Sequence, residues 1–372
     1  MLKIIADDAI PFLRGVFEPF AQVTYLPGAA IARADLKDTD ALIIRTRTKC
    51  NAKMLAGTGV RIIASATIGM DHVDTAECEK LGIRCVNAPG CNASSVAQYM
   101  VSVLLAESAE TGKSLSGRTL GIVGVGHVGK KVAAAAAALG MKVLLNDPPR
   151  ARAEGSAGFV GLDRILAESD FITMHTPLNR DYPDRTYHLA DEEFFLKAAR
   201  TPFFINASRG PVTDQNALKS ALITGRIRGA ALDVWEGEPD IERELLDMVR
   251  IATPHIAGYS ADGKATGTAM AARAVASFFG IDALADFHPE GVPAPDPAVL
   301  TLPTEHPVES AVFSAYDVRK DDAALRNDPE SFESLRAHYP VRREFPAYRI
   351  GNADKISAAD RSVLRSLGFA GC

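Results

Sequence analysis

Leu120-Gly121-Ile122-Val123 runs directly into Gly124-Val125-Gly126-His127-Val128-Gly129, and an alanine-rich stretch, 130–139, follows. An apolar strand, a G-x-G-x-x-G turn and a segment of high helix propensity predict a strand–turn–helix unit. A second strand candidate, 142–145, leads to Asp147, an acid about 20 residues beyond the turn. In such a unit the first glycine permits the tight turn and the second lets a pyrophosphate approach the backbone. The third lets helix and strand pack closely, and the helix N-terminus offers free N–H groups to the phosphates. The expected cofactor is therefore a dinucleotide, held by Gly124, Gly126, His127, Val128, Gly129 and Asp147. Asp147 would accept hydrogen bonds from the adenosine ribose and repel a 2′-phosphate, which favours NAD over NADP. Arg150 and Arg152 follow closely and are the residues that would receive a phosphate instead.

Downstream lie Asn206-Ala207-Ser208-Arg209-Gly210, Asp233-Val234-Trp235-Glu236-Gly237-Glu238-Pro239 and Pro254-His255-Ile256-Ala257-Gly258-Tyr259. Each ends an apolar run, at 203–205, 230–232 and 251–252, that reads as a buried strand of a parallel sheet. Residues just past such strands sit at the carboxyl edge, where open α/β sheets bind ligands. Arg209, Glu238 and His255 are thus expected to converge on one crevice. An arginine to grip a carboxylate, a histidine to move a proton and a carboxylate to orient that histidine suit oxidation of a 2-hydroxy acid. The bland alternatives are a loop cation, a surface acid and a core histidine. Among the other histidines only His72, beside Asp71, competes with His255.

Composition bounds the remaining classes. The chain has 372 residues, 47% hydrophobic and 23% charged, with a formal net charge of −5. That length fits two or three domains, and the charge leaves no basic footprint for nucleic acid. No apolar run reaches a membrane span of roughly 20 residues. The first residues enter a strand-like run and do not read as a signal peptide. Five cysteines with no C-x-x-C predict free thiols in a reducing cytoplasm, and no metal site is expected.

Residues 1–93 alternate strand and helix signals, with strands expected at 2–6, 22–26, 41–44, 61–65 and 84–87, and form a smaller parallel α/β domain. Two of its strand ends carry chemistry, Arg45-Thr46-Arg47-Thr48-Lys49 and Ala66-Thr67-Ile68-Gly69-Met70-Asp71-His72. Hydroxyls and cations at a sheet edge suit an anionic substrate, although Arg45, Arg47 and Lys49 also read as a solvated charged stretch. A helix at 94–109, with apolar residues on a 3.6-residue period, leads into the dinucleotide unit, 94–257. A small-residue helix at 264–279 places 258–280 back with the first domain. Residues 281–372 open on a proline-rich linker, then show helix candidates at 329–338 and 357–367 and an alternating stretch at 343–350. Their few large apolar groups make a poor core alone, and docking onto a second subunit is expected to supply the missing burial.

The glycine turn with Asp147, then Arg209, then Glu238 before Pro239, then Pro254-His255, resembles the D-2-hydroxy acid dehydrogenase family over residues 1 to about 280. Within it, Ala88-Pro89-Gly90-Cys91-Asn92-Ala93, Asn146-Asp147-Pro148-Pro149-Arg150 and His255-Ile256-Ala257-Gly258-Tyr259-Ser260 are similar to a branch that acts on a phosphorylated sugar acid. That branch carries an additional C-terminal dimerisation domain, which the segment containing Tyr316-Asp317-Val318-Arg319-Lys320-Asp321-Asp322 resembles. The resemblance implies a Rossmann-type NAD-binding domain, a flavodoxin-like substrate domain, a small α+β dimerisation domain (281–372), and a cytoplasmic homodimer that reduces NAD. It implies Thr46, Thr67 and Tyr259 as substrate contacts, and Thr176, Asp233 and Gly258 as cofactor contacts. Ser208 and Gln98 depart from the family pattern, which often has Cys and an acid there. Two other functions remain open: a relative acting on phosphoglycerate or hydroxypyruvate, and an NAD(H)-sensing scaffold that binds protein partners.

Overall fold

Long apolar runs separated by polar turns are what parallel strands covered on both faces require, and two sheets of this kind organise the chain. The computed structural model describes all 372 residues, Met1–Cys372. They fall into two bodies, Met1–Asn92 with Ser260–Pro293, and Ala93–Tyr259 with Ala294–Cys372.

In the first body, β1 (Leu2–Asp7), β2 (Ala21–Leu26), β3 (Ala41–Ile44), β4 (Ile62–Ser65) and β5 (Arg84–Val86) form a parallel sheet in the order β2-β1-β3-β4-β5. This is the flavodoxin-like order. β3 and β4 are buried at every position, as their uninterrupted apolar sequences require. The helix Ala261–Phe279 completes this body. It starts earlier than its small-residue composition predicts because Ser260 caps it, accepting from the Gly263 N–H at 2.8 Å.

In the second body, β6 (Thr119–Val123), β7 (Lys142–Asn146), β8 (Phe171–Met174), β9 (Phe203–Asn206), β10 (Gly229–Leu232) and β11 (Ile251–Ala252) pair in the order β11-β10-β9-β8-β6-β7, all parallel. Beyond β7 the Val160 N–H donates to the Leu145 carbonyl at 2.7 Å, which extends the outer edge. The chain thus runs outward from β6 through β7, then returns to β8 on the other side of β6. This Rossmann-type reversal makes the carboxyl ends of β6 and β8 a ligand crevice.

The helix Ala93–Thr111 differs from its amphipathic reading. It is buried along most of its length, polar residues Ser95, Gln98, Ser102 and Glu107 included. A helix buried all round has neighbours on every face, and residues 294–372 provide the second set. Gln98 Nε2 donates to the Arg343 carbonyl at 3.0 Å, and Ser102 bonds the Tyr316 carbonyl and the Val318 N–H at 3.1 and 3.0 Å. Val308, Val312, Phe345, Ile356 and Leu364 share one apolar core with Val96, Leu104 and Ala136. The burial expected from a second subunit is therefore supplied in large part by the same chain.

The C-terminal segment pairs β12 (Val299–Leu300) with β13 (Arg349–Ile350) and carries helices Pro307–Ala315, Val318–Asn327, Phe332–Ala337 and Ala358–Leu367. The helix expected over 329–338 is shortened, with a tight turn at Pro329–Ser331 before Phe332. The alternating stretch 343–350 is mostly a turn around Pro346, and only Arg349–Ile350 pairs. Ser357 caps the last helix, accepting from the Asp360 N–H at 3.1 Å.

Candidate active site

The glycine turn leaves β6 and enters the helix His127–Ala138. Gly124 has φ 90°, and a Cβ there would meet the His175 and Thr176 backbone at 2.7–2.9 Å, so the turn lies tight against the end of β8. A Cβ on Gly129 would overlap the Gly124 carbonyl, whereas one on Gly126 would meet nothing. The first and third glycines are thus needed for packing, and the second leaves open room at a helix N-terminus that no side chain caps. Asp147 follows β7. Its carboxylate accepts from the Val125 N–H at 2.8 Å and the Arg150 N–H at 3.0 Å, which ties it to the glycine turn. Arg150 is engaged by Glu154 and by the Val125 carbonyl, and Arg152 by Asp184. Both cations already have partners, which weakens their claim on a 2′-phosphate. Thr176 Oγ1 is buried with no hydrogen-bond partner. An open turn, an uncapped helix start, an acid at the second strand end and an orphaned hydroxyl beside them fit a dinucleotide.

The three downstream patches follow β9, β10 and β11 and come together as their strand positions require. Asn206 shapes the first loop. Its Nδ2 donates to the Arg209 carbonyl at 2.9 Å, and its Oδ1 accepts from the Ser208 N–H and hydroxyl at 3.0 and 2.8 Å. Ser208 is therefore a structural residue here, whatever stands there in relatives. Arg209 Nη1 donates to the Ser208 carbonyl at 2.8 Å. A Cβ on Gly210 would overlap the Trp235 carbonyl, so only glycine lets the Arg209 loop lie against the Trp235–Glu238 loop.

His255 Nδ1 and Glu238 Oε1 are 2.5 Å apart, with side chains 29% and 25% exposed. The pair is sheltered yet reachable. Burial pushes the Glu238 carboxyl up, but the hydrogen bond and charge of His255, the Trp235 N–H and the Arg336 charge outweigh it and hold it below the usual glutamate range. A carboxylate on Nδ1 fixes the proton there and leaves Nε2 as the basic nitrogen. His255 has φ 54°, a left-handed conformation that a residue other than glycine adopts only when its surroundings impose it. Asp233 imposes it. Its carbonyl accepts from the His255 N–H at 2.7 Å, and its buried carboxylate accepts from Ile256 N–H, Ala257 N–H and the Thr253 hydroxyl at 2.8, 2.9 and 2.7 Å. Burial raises the Asp233 pKa against those bonds. Tyr259 closes the patch, its hydroxyl accepting from Arg336 Nη2 at 3.3 Å.

In the first body Arg45 donates to the Ala9 carbonyl at 3.2 Å, Thr46 is exposed, and the Thr67 and Ser65 hydroxyls are 2.8 Å apart. His72 Nε2 is buried without a partner, and burial lowers its pKa despite Asp71. His175 is partly buried, and burial lowers its pKa to about 3. Neither ring is set up to exchange a proton with a substrate as His255 is.

A family model described as the NAD binding domain of D-isomer specific 2-hydroxyacid dehydrogenases matches residues 92–257. A second, described as a domain of unknown function (DUF3410), matches residues 299–368. The chain is 47% identical over 350 residues to the erythronate-4-phosphate dehydrogenase of Bacteroides thetaiotaomicron, covering 94% of this chain and 99% of that one. It is 41% identical over 371 residues to the enzyme of that name from Porphyromonas gingivalis, covering 99% and 100%. The chain belongs to the D-2-hydroxyacid dehydrogenase family. Among solved structures, the TT0316 protein from Thermus thermophilus is similar with a TM-score of 0.63 at 26% identity, over 78% of this chain and 99% of that one.

As a member of that family the chain is an NAD-dependent oxidoreductase acting on a CH–OH group. The Asp147, Arg209, Glu238 and His255 positions were readable from motif spacing. Four other groups were not. Asn206 and Gly210 stood in a quoted patch without a role, and the backbone-pinning carboxylate of Asp233 was expected only as a cofactor contact. A buried acid just after an apolar strand was the one available signal for the last. Arg336 had none, being 77 residues from Tyr259 in sequence.

Proposed function

We propose that this protein oxidises 4-phospho-D-erythronate to 2-oxo-3-hydroxy-4-phosphobutanoate, with reduction of NAD, as a step of pyridoxal phosphate biosynthesis. The observation that carries the reading is the extent of the likeness to erythronate-4-phosphate dehydrogenases: it spans the chain, C-terminal segment included. Bound at this site, NAD would supply the hydride acceptor for C2. Gly124, Gly126, His127, Val128 and Gly129 would hold its pyrophosphate and Asp147 its adenosine ribose, and Thr176, Asp233 and Gly258 would be further cofactor contacts. Arg209 binds the substrate carboxylate and polarises the forming carbonyl oxygen. His255 Nε2 takes the C2 hydroxyl proton, and ionised Glu238 on Nδ1 stabilises the imidazolium that results. Arg45, Thr46, Thr67 and Tyr259 complete substrate recognition.

The protein acts as a cytoplasmic homodimer in this reading. Its cysteines are free thiols, two of them buried, as suits a reducing compartment. No helix is long and apolar enough to cross a membrane. Val299 and Val341, 54% and 65% exposed on the C-terminal segment, are apolar surface that a second copy would cover.

The test is a panel of 2-hydroxy acids with and without a terminal phosphate, followed by NADH absorbance. The expected result is the highest kcat/KM on 4-phospho-D-erythronate. A higher value on 3-phosphoglycerate or on an unphosphorylated acid would assign the chain to another activity of the family.

A further inference from the structure

The substrate proposed above is an anion at both ends. Its carboxylate is taken by Arg209, which leaves a phosphate two carbons beyond C2. A phosphate dianion needs a cation with more than one donor, and a guanidinium presents its N–H groups in a planar fork that matches phosphate oxygens.

Arg336, on the short helix Phe332–Ala337, is such a group in an unusual position. Its side chain is 19% exposed, so most of it is out of water. One nitrogen, Nη1, donates to Glu333 at 2.8 Å, but Glu333 is itself 41% exposed and screened by solvent. Nε is buried with no partner. Nη2 meets the Tyr259 hydroxyl at 3.3 Å, the long end of the hydrogen-bond range. The guanidinium carbon is 5.8 Å from the Tyr259 ring centre and 6.0 Å from that of Phe332. Tyr259 in turn stands edge-on to Tyr339, with ring centres 6.0 Å apart. A guanidinium that is mostly out of water and keeps a buried Nε without a hydrogen-bond partner has donor capacity left unused, and such a group in a native protein calls for an explanation.

Its surroundings supply one. Tyr259 lies four residues beyond His255, on the loop that Asp233 pins. Arginine only donates, so Tyr259 accepts from Arg336, which strengthens the phenol as a donor in its turn. The Arg336 charge also reaches Glu238, since each shifts the other toward its ionised form. The cation therefore sits within electrostatic range of the acid–base pair, beside the residue that follows it.

We infer that Arg336, with the Tyr259 hydroxyl, is a specificity-determining seat for the terminal phosphate of the substrate. This rests on the proposed reading that the substrate is phosphorylated. It also gives the C-terminal segment a part in the site, because that segment alone carries Arg336.

The experiment compares wild type, Arg336→Gln and Arg336→Lys as full-length, NAD-loaded protein. For each, KM is measured on 4-phospho-D-erythronate, and KM or competitive Ki on D-erythronate. Inhibition by inorganic phosphate is measured alongside. The expected result is a KM raised about tenfold or more on the phosphorylated substrate in Arg336→Gln, with a parallel loss of phosphate inhibition. D-Erythronate should change less than about twofold, and Arg336→Lys should recover part of the loss, because a lysine keeps the charge but not the fork. Equal losses on both acids would make Arg336 a support for Tyr259 and overturn the inference, as would no loss on either. If wild type itself shows no preference for the phosphorylated acid, the functional reading fails first, and that result is seen before any variant is compared. NAD affinity serves as the folding control, and Arg336→Lys keeps the test decisive if Arg336→Gln does not fold.

Discussion

Replacing Glu238 by Gln removes one charge and keeps the shape of the side chain. In the structure Glu238 Oε1 lies 2.5 Å from His255 Nδ1, and its Oε2 accepts from the Trp235 N–H at 3.1 Å. The amide retains one acceptor for the ring N–H but cannot balance the imidazolium that forms as the substrate hydroxyl loses its proton. Hydrogen bonds to charged groups contribute roughly 1.5–3 kcal/mol, and each 1.36 kcal/mol in the barrier is about tenfold in rate. The full range is therefore about 10- to 150-fold in kcat. Glu238 is 25% exposed, and solvent screening moves the expectation to the lower part of that range. The assay is NADH formation at saturating NAD and substrate, with NAD affinity measured separately and expected to stay close to wild type. The same variant has a pH signature. The Glu238 carboxyl is held below its ordinary value in the folded protein, so its contribution to stability is present above the unfolded carboxylate pKa. It is lost as pH falls through the lowered folded value. Wild type and Glu238→Gln should thus converge in stability on the acid side and diverge toward neutrality. A kcat within about twofold of wild type would refute the assignment of Glu238 as the partner that stabilises the imidazolium.

Asp147→Ala should weaken NAD binding and narrow the gap to NADP; a wild-type protein that binds NADP more tightly than NAD would mean Arg150 or Arg152 outweighs the acid. Asp233→Asn turns an amide N–H₂ toward one of the N–H groups it now accepts from, and should cost about 1–3 kcal/mol in denaturant unfolding while lowering kcat. Unchanged stability would show that the 255–257 loop is held by other contacts. Truncation after Pro293 should give an aggregating protein with poor NAD binding and not a clean monomer, because it strips the cover from the Ala93–Thr111 helix. A soluble, NAD-binding truncation would show that the dinucleotide body does not depend on residues 294–372.

Both sheets could be read from the sequence because their strands are covered on each face. Runs such as Ala41–Ile44 and Phe203–Asn206 carry no alternation to misread, and even two-residue β11 ended where Ile251-Ala252 met Thr253. The cofactor turn was legible because its first and third glycines answer local steric needs. The C-terminal helices Pro307–Ala315 and Val318–Asn327 were not, because their apolar residues pack on the Ala93–Thr111 helix and on the sheet edge at β11. There Asp322 accepts the Ala252 N–H at 2.7 Å, a partnership 70 residues long in sequence. Gln98 shows the same limit. Its departure from the family pattern serves a partner 245 residues away in sequence, the Arg343 carbonyl. Local patterns reveal which strand ends carry the candidate residues, while some of the groups that hold those ends in place, such as Asp233 for the 255–257 loop, lie on another strand end.

The most direct test of the acid–base assignment compares His255→Ala with His72→Ala, each assayed for NADH formation on 4-phospho-D-erythronate and for NAD affinity. The account predicts that His255→Ala lowers kcat by at least about 10²-fold with NAD binding preserved, as loss of a general base requires. His72→Ala should keep most of its turnover. Near-normal turnover in His255→Ala together with an inactive His72→Ala would contradict the account and move the base to the first body.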